Sequence, residues 1–139
     1  MTLFENEYVI CELDESLPVL KHRWKKVPAG KIFRENLVQI QKVYLKQSHN
    51  YTNLAWLADT QLLGEVDEAT EKWFSEVWDD LLFNEAGVKI HAVILGEDLF
   101  EEYPMEKFKM DAEEKFKLLG VQLEVFSDED EAYDWIRTR

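Results

Sequence analysis

Short apolar runs alternate with longer stretches of helical periodicity along most of this chain. Glu7 to Leu13 reads as a strand, and the turn residues Asp14-Glu15-Ser16 lead into a second, Leu17 to Trp24, with Pro18 near its start. The two predict a hairpin. Beyond the basic connection Lys25 to Gly30, Ile32, Phe33, Leu37, Ile40, Val43 and Tyr44 mark one apolar stripe, which predicts a long first helix over roughly Ala29 to Gln47. A polar loop then leads to Leu54-Ala55-Trp56-Leu57-Ala58, an apolar run too short for a helix and closed by Asp59. Such a run fits a central strand buried on both faces.

Asp67 can cap a second helix, whose Thr70, Trp73, Phe74, Val77, Trp78 and Leu81 fall at helical spacing and which ends near Gly87, a natural left-handed cap. Val88 to Leu95 is the next strand. A short helical turn over Glu97 to Glu102 and a helix from Pro104 to Leu119, ended by Gly120, come before the last strand, Val121 to Phe126. Ser127-Asp128-Glu129-Asp130 resembles a capping box with acids in the first turn, and Ala132, Tyr133, Trp135 and Ile136 form the apolar side of the final helix. The order β-β-α-β-α-β-α-β-α predicts a single α/β domain over residues 1–139. Its sheet is expected to be open and mainly parallel, with five strands joined by right-handed crossovers and the first strand antiparallel at one edge.

Charge narrows the function. The chain carries a formal net charge of −13, which argues against nucleic acid as a partner, because a phosphate backbone needs a positive surface. The excess is uneven: Lys21, Arg23, Lys25, Lys26, Lys31, Arg34, Lys42 and Lys46 face the single acid Glu35 between positions 21 and 46. A positive patch at one end of the molecule is expected, suited to an acidic protein surface, of another protein or of a second copy. The start MTLFENEY has no signal-peptide pattern, and no apolar run approaches the roughly 20 residues of a membrane span, so a cytoplasmic protein is expected.

Few residues offer catalysis. The single cysteine, Cys11, sits in Tyr8-Val9-Ile10-Cys11 and reads as a small buried side chain. His22, His49 and His91 lie on different elements without ligand spacing, so neither a metal nor a cofactor is expected. No Gly-rich phosphate loop and no Gly-x-Ser-x-Gly occurs. Alternation along two strands does suggest a surface: Lys89, His91, Val93 and Leu95 alternate with an apolar set, as Gln122, Glu124 and Phe126 do on the last strand. Lys89, His91, Gln122, Glu124 and Phe126 are therefore expected on one incompletely covered face, open to a partner or a homodimer contact.

With this order the chain resembles the STAS superfamily, most closely its SpoIIAA-like branch, itself similar to CRAL-TRIO lipid-binding domains. The resemblance rests on Trp24 before the first helix, Leu57-Ala58-Asp59 closing the central strand, Gly87-Val88 entering the next, and Phe126 to Ile136 at the end. It implies successive turns of a β-α superhelix with helices mainly on one face of the sheet. In the phosphorylatable members, the turn after the central strand carries a serine modified by a partner kinase. Here Leu63-Gly64-Glu65-Val66-Asp67-Glu68-Ala69-Thr70 puts acids where that hydroxyl would stand, with Thr70 already in the first turn of the helix. Acids there favour the helix dipole by roughly 0.3–1 kcal/mol each, which explains them without a phosphate mimic. The expectation is a non-catalytic, STAS-like interaction module without the usual switch. The alternative is CRAL-TRIO-like carriage of a small apolar ligand or lipid, with Trp73, Phe74 and Trp78 lining a cavity.

Overall fold

The computed structural model describes residues 1–63, 67–96, 110 and 113–139. Six strands form one sheet in sequence order: β1 (Thr2–Glu5), β2 (Val9–Asp14), β3 (Val19–Trp24), β4 (Ala55–Asp59), β5 (Ile90–Ile94) and β6 (Gln122–Phe126). The β1–β2 and β2–β3 pairs are antiparallel, and β3 to β6 are parallel. The α/β class and the mainly parallel sheet are as the sequence predicts. Five strands are not: β1 precedes the predicted hairpin, takes the edge, and leaves β2 inside the sheet. Four residues with only Leu3 and Phe4 apolar carry too little alternation to be read as a strand.

The helices divide between the two faces. Leu20, Trp24, Trp56 and Ala58 meet Phe33, Leu37, Ile40 and Tyr44 of α1 (Gly30–Ser48) and Trp78, Leu82 and Phe83, which follow α2 (Glu68–Trp73). On the other face Ala55, Leu57, Ile90, Ala92 and Ile94 pack against Ala132 and Ile136 of α3 (Glu129–Arg137). Short bonds hold the helix layer in place. Tyr44 Oη donates to the Leu54 carbonyl at 2.6 Å, at the entry to β4, and Gln41 Nε2 donates to the Leu81 carbonyl at 3.1 Å. The predicted turn at 97–102 and most of the helix from Pro104 lie outside the described residues.

The second helix departs from the α form. After α2 the backbone continues in π-helical turns over Phe74–Trp78 and Asp80–Glu85. The wider turn changes which side chains face inward. Thr70, Trp78, Leu82 and Phe83 are buried, whereas Val77, placed in the apolar stripe by α periodicity, turns outward and is 41% exposed. Trp73 and Trp78, five residues apart, stack with ring centroids 5.5 Å apart and planes at 19°. Gly87 ends the helix at φ 69°, the left-handed conformation expected of it. Among the described residues no helix is long and apolar enough to cross a membrane.

Candidate functional site

The turn after the central strand brings together two groups that the sequence keeps apart. Asp67 caps α2, its Oδ1 accepting from the Thr70 amide at 2.7 Å. The Thr70 hydroxyl accepts from Arg34 Nη1 of α1 at 2.9 Å, and Arg34 lies 4.0 Å from Asp67. Thr70 is fully buried. Its side chain first, then its amide, hold the Asp67 carboxyl below its usual pKa. The start of α1 must come close for this to happen, and Gly30 allows it: a Cβ at that position would stand 2.4 Å from Asp67 Oδ2 and 3.1 Å from Thr70 Oγ1. One member of the predicted basic patch thus locks the predicted switch turn. Glu68 is exposed, and Gly64 lies outside the described residues.

The rest of the basic segment does not make a continuous patch. Lys25 pairs with Glu5 at 2.6 Å and Lys26 with Glu7 at 3.0 Å, while Lys21 pairs with Glu129 of α3. Acids from β1, the β1–β2 turn and α3 therefore neutralise three of the lysines. Arg23, Lys31, Lys42 and Lys46 are exposed and have no ion pair among the described residues.

The five residues expected on one sheet face are split. The register sets His91 beside Leu123, and Gln122, Glu124 and Phe126 beside Ile90, Ala92 and Ile94. Neighbours across a parallel pair project to the same side, so His91 faces α1 and α2 while the other three face α3. Lys89 precedes β5 and uses its carbonyl to accept from the Gln122 amide at 2.7 Å. Both sides are covered: Phe126 contacts Trp135 at 5.8 Å between centroids, and His91 meets Phe83 edge-on at 5.7 Å. Aligning the two strands on their apolar alternation alone amounts to a one-residue slip, which reverses every side chain.

Two features were not foreseen. His22 lies buried in the core, its Nδ1 accepting from Trp24 Nε1 at 3.1 Å and its ring 5.0 Å from Trp56, yet among the described residues its Nε2 has no partner, and neither has Nδ1 of His91. Burial pushes His22 down to about 3, with a further contribution from His91, and pushes His91 down to about 4. No sequence signal marks them, because the register that turns both onto one face is a tertiary property. The second feature is a cleft of about 600 Å³ between the β2–β3 turn and α3, lined by Glu12, Asp14, Glu15, Ser16, Lys21 and Tyr133 among others. Its one trace in the sequence is the Asp14-Glu15-Ser16 turn, where the Ser16 hydroxyl and then its amide lower the Asp14 pKa. Cys11 is buried as expected, and burial pushes its thiol up to about 12, far from a thiolate at neutral pH.

No family model, no curated protein and no solved structure matches the chain.

Proposed function

We propose that the chain is a non-catalytic, STAS-like interaction module that binds a protein partner in the cytoplasm and is not switched through a serine at the start of α2. The observation that carries this reading is the lock at that position. Thr70, which carries the hydroxyl there, is buried; that hydroxyl accepts from Arg34, and the Thr70 amide donates to the cap Asp67. A kinase acts on an exposed hydroxyl, so modification would first require the start of α2 to open. The mainly parallel sheet, with α1 and α2 layered on one face, supports the resemblance. The aromatic residues behind the apolar-ligand alternative are engaged with one another: Trp78 contacts Trp56 at 5.8 Å and Trp73 at 5.5 Å, and Phe74 contacts Phe33 at 6.1 Å.

Affinity capture of the native chain, combined with phosphopeptide mapping and mass spectrometry of the unextracted protein, tests the reading. The expected result is a protein partner in stable ratio and no phosphate on Thr70. Phosphate on Thr70 would restore the switch. A co-purifying lipid without a protein partner would favour CRAL-TRIO-like carriage instead.

A further inference from the structure

The two faces of the sheet are not equally covered. Along β2 and β3 the side chains turned toward α1 and α2, Val9, Cys11, Leu13, Leu20, His22 and Trp24, are all buried. On the opposite side Val19 is buried with the α3 cluster, but Ile10, Glu12, Asp14, Lys21 and Arg23 are half-buried or exposed. The position of α3 explains the difference. It packs on β4, β5 and β6, and its edge touches β3 where Glu129 and Tyr133 meet Lys21. Among the described residues this leaves β1 and β2 without a helix on that side. The cleft of about 600 Å³ opens here, with the β2–β3 turn on one side and Tyr133 on the other.

Its charge is unbalanced. Glu12, Asp14 and Glu15 have no ion pair among the described residues. The Asp14 carboxylate accepts from the Ser16 amide and hydroxyl, and the Glu15 carboxylate from Tyr51 Oη at 3.1 Å. The cations nearby are already engaged: Lys21 by Glu129, Arg137 by Asp134 at 2.7 Å, and the Met1 amine by the Leu13 carbonyl at 3.1 Å. Acids on the neighbouring strand and turn are matched instead, Glu5 by Lys25 and Glu7 by Lys26. Glu12 and Asp14 stand two residues apart on β2 and project to the same side about 6.8 Å apart, the repeat of alternate side chains along any extended chain.

We infer that the cleft and the uncovered part of the sheet dock an extended basic segment of the protein partner, with lysine or arginine at alternate positions opposite Glu12 and Asp14. Charge complementarity selects this occupant: a net charge of −13 draws a basic segment in and repels a second copy of the chain. Long basic side chains suit the surface, since their aliphatic stems can cover the half-buried Ile10 while their heads reach the carboxylates. The sign is the reverse of that expected from the lysines between positions 21 and 46.

The inference rests on the interaction-module reading and names the chemistry of its partner. Fluorescence polarisation at physiological salt tests it with a labelled, capped seven-residue peptide in which arginine and serine alternate. The proteins are the wild type, Glu12→Gln/Asp14→Asn, Glu15→Gln, and Glu35→Gln/Glu85→Gln, which removes two exposed acids from the helix layer instead. The wild type should bind saturably at one site. Glu12→Gln/Asp14→Asn should weaken binding about tenfold, because two close ion pairs are lost. Glu15→Gln, at an exposed turn residue whose amide oxygen can still accept from Tyr51, should weaken it about threefold. Glu35→Gln/Glu85→Gln should leave it unchanged, although it alters the net charge as much as the first pair does. Circular dichroism melting checks that each variant folds, and Glu15→Gln decides alone if the first pair does not. No saturable binding, a folded cleft variant that binds as the wild type does, or equal weakening by the helix-layer pair overturns the docking site. Capture of a protein partner without a basic segment would keep the module reading and overturn this one, whereas capture of no partner defeats the module reading itself.

Discussion

Acid should unfold this protein through two histidines before its carboxylates titrate. In the fold His22 and His91 are held neutral, at about 3 and about 4 against an ordinary 6.5. In the unfolded chain both regain the ordinary value, so below 6.5 the unfolded state binds more protons than the folded one. Stability is therefore full above 6.5, falls as the pH drops below it, and stops falling only when the folded pKa values are reached. The geometry explains why the fold does not adapt. His22 Nδ1 accepts from Trp24 Nε1, so a second ring proton there would set donor against donor, and among the described residues neither His22 Nε2 nor His91 Nδ1 has a hydrogen-bond partner to stabilise the charged ring.

Between about pH 7 and pH 5 this linkage removes on the order of 2 kcal/mol through His22, and up to as much through the partly exposed His91. Up to about 4 kcal/mol is a large share of the roughly 5–15 kcal/mol that holds a typical domain together. Urea denaturation followed by circular dichroism at both pH values, on the wild type and on His22→Asn/His91→Phe, measures it. Asparagine keeps an acceptor for Trp24, and phenylalanine keeps the edge contact with Phe83. The comparison cancels every carboxylate common to both proteins, including Asp79, whose pKa is raised by burial. A wild type that loses less than about 1 kcal/mol over this range, or a double variant that loses as much as the wild type, would refute the reasoning.

Trp56→Ala and Trp78→Ala should each cost about 3–5 kcal/mol in chemical denaturation, since the rings are only 1% and 6% exposed; under about 1 kcal/mol in either would mean a surface ring. Gly30→Ala should cost about 1–3 kcal/mol, because its Cβ enters the Asp67 carboxylate and disturbs the α2 cap; an unchanged thermal midpoint would show that the turn yields freely. Incubation with a STAS-directed serine kinase should leave Thr70 unmodified, and phosphopeptide mapping that finds phosphate there would show that the start of α2 opens.

What the sequence made legible follows from the length of each signal. The runs that became β2 to β6 are each bounded by turn residues, and the stripe of α1 repeats over five helical turns, so their class could be read directly. β1 is four residues long and its identity depends on pairing with β2, which no local pattern records. The π-helical turns after α2 were illegible for a different reason. Periodicity was read at the α spacing, and the wider turn keeps Thr70 and Trp78 inside but rotates Val77 out. The bond from Gln41 to the Leu81 carbonyl lies within those turns, where Leu81 also accepts from the Ala86 amide at 3.0 Å. A side chain inserted from the neighbouring helix at such a site cannot be foreseen from the segment that receives it.

Charge was the least legible property, because a side chain's neighbours in sequence are seldom the charges it meets. Lys25 and Lys26 stand together in the chain yet are answered by Glu5 and Glu7, about twenty residues earlier, and Lys21 by Glu129 at the far end. A run of like charges therefore predicts composition, not potential: the expected patch is divided wherever the antiparallel strands or α3 bring an acid alongside.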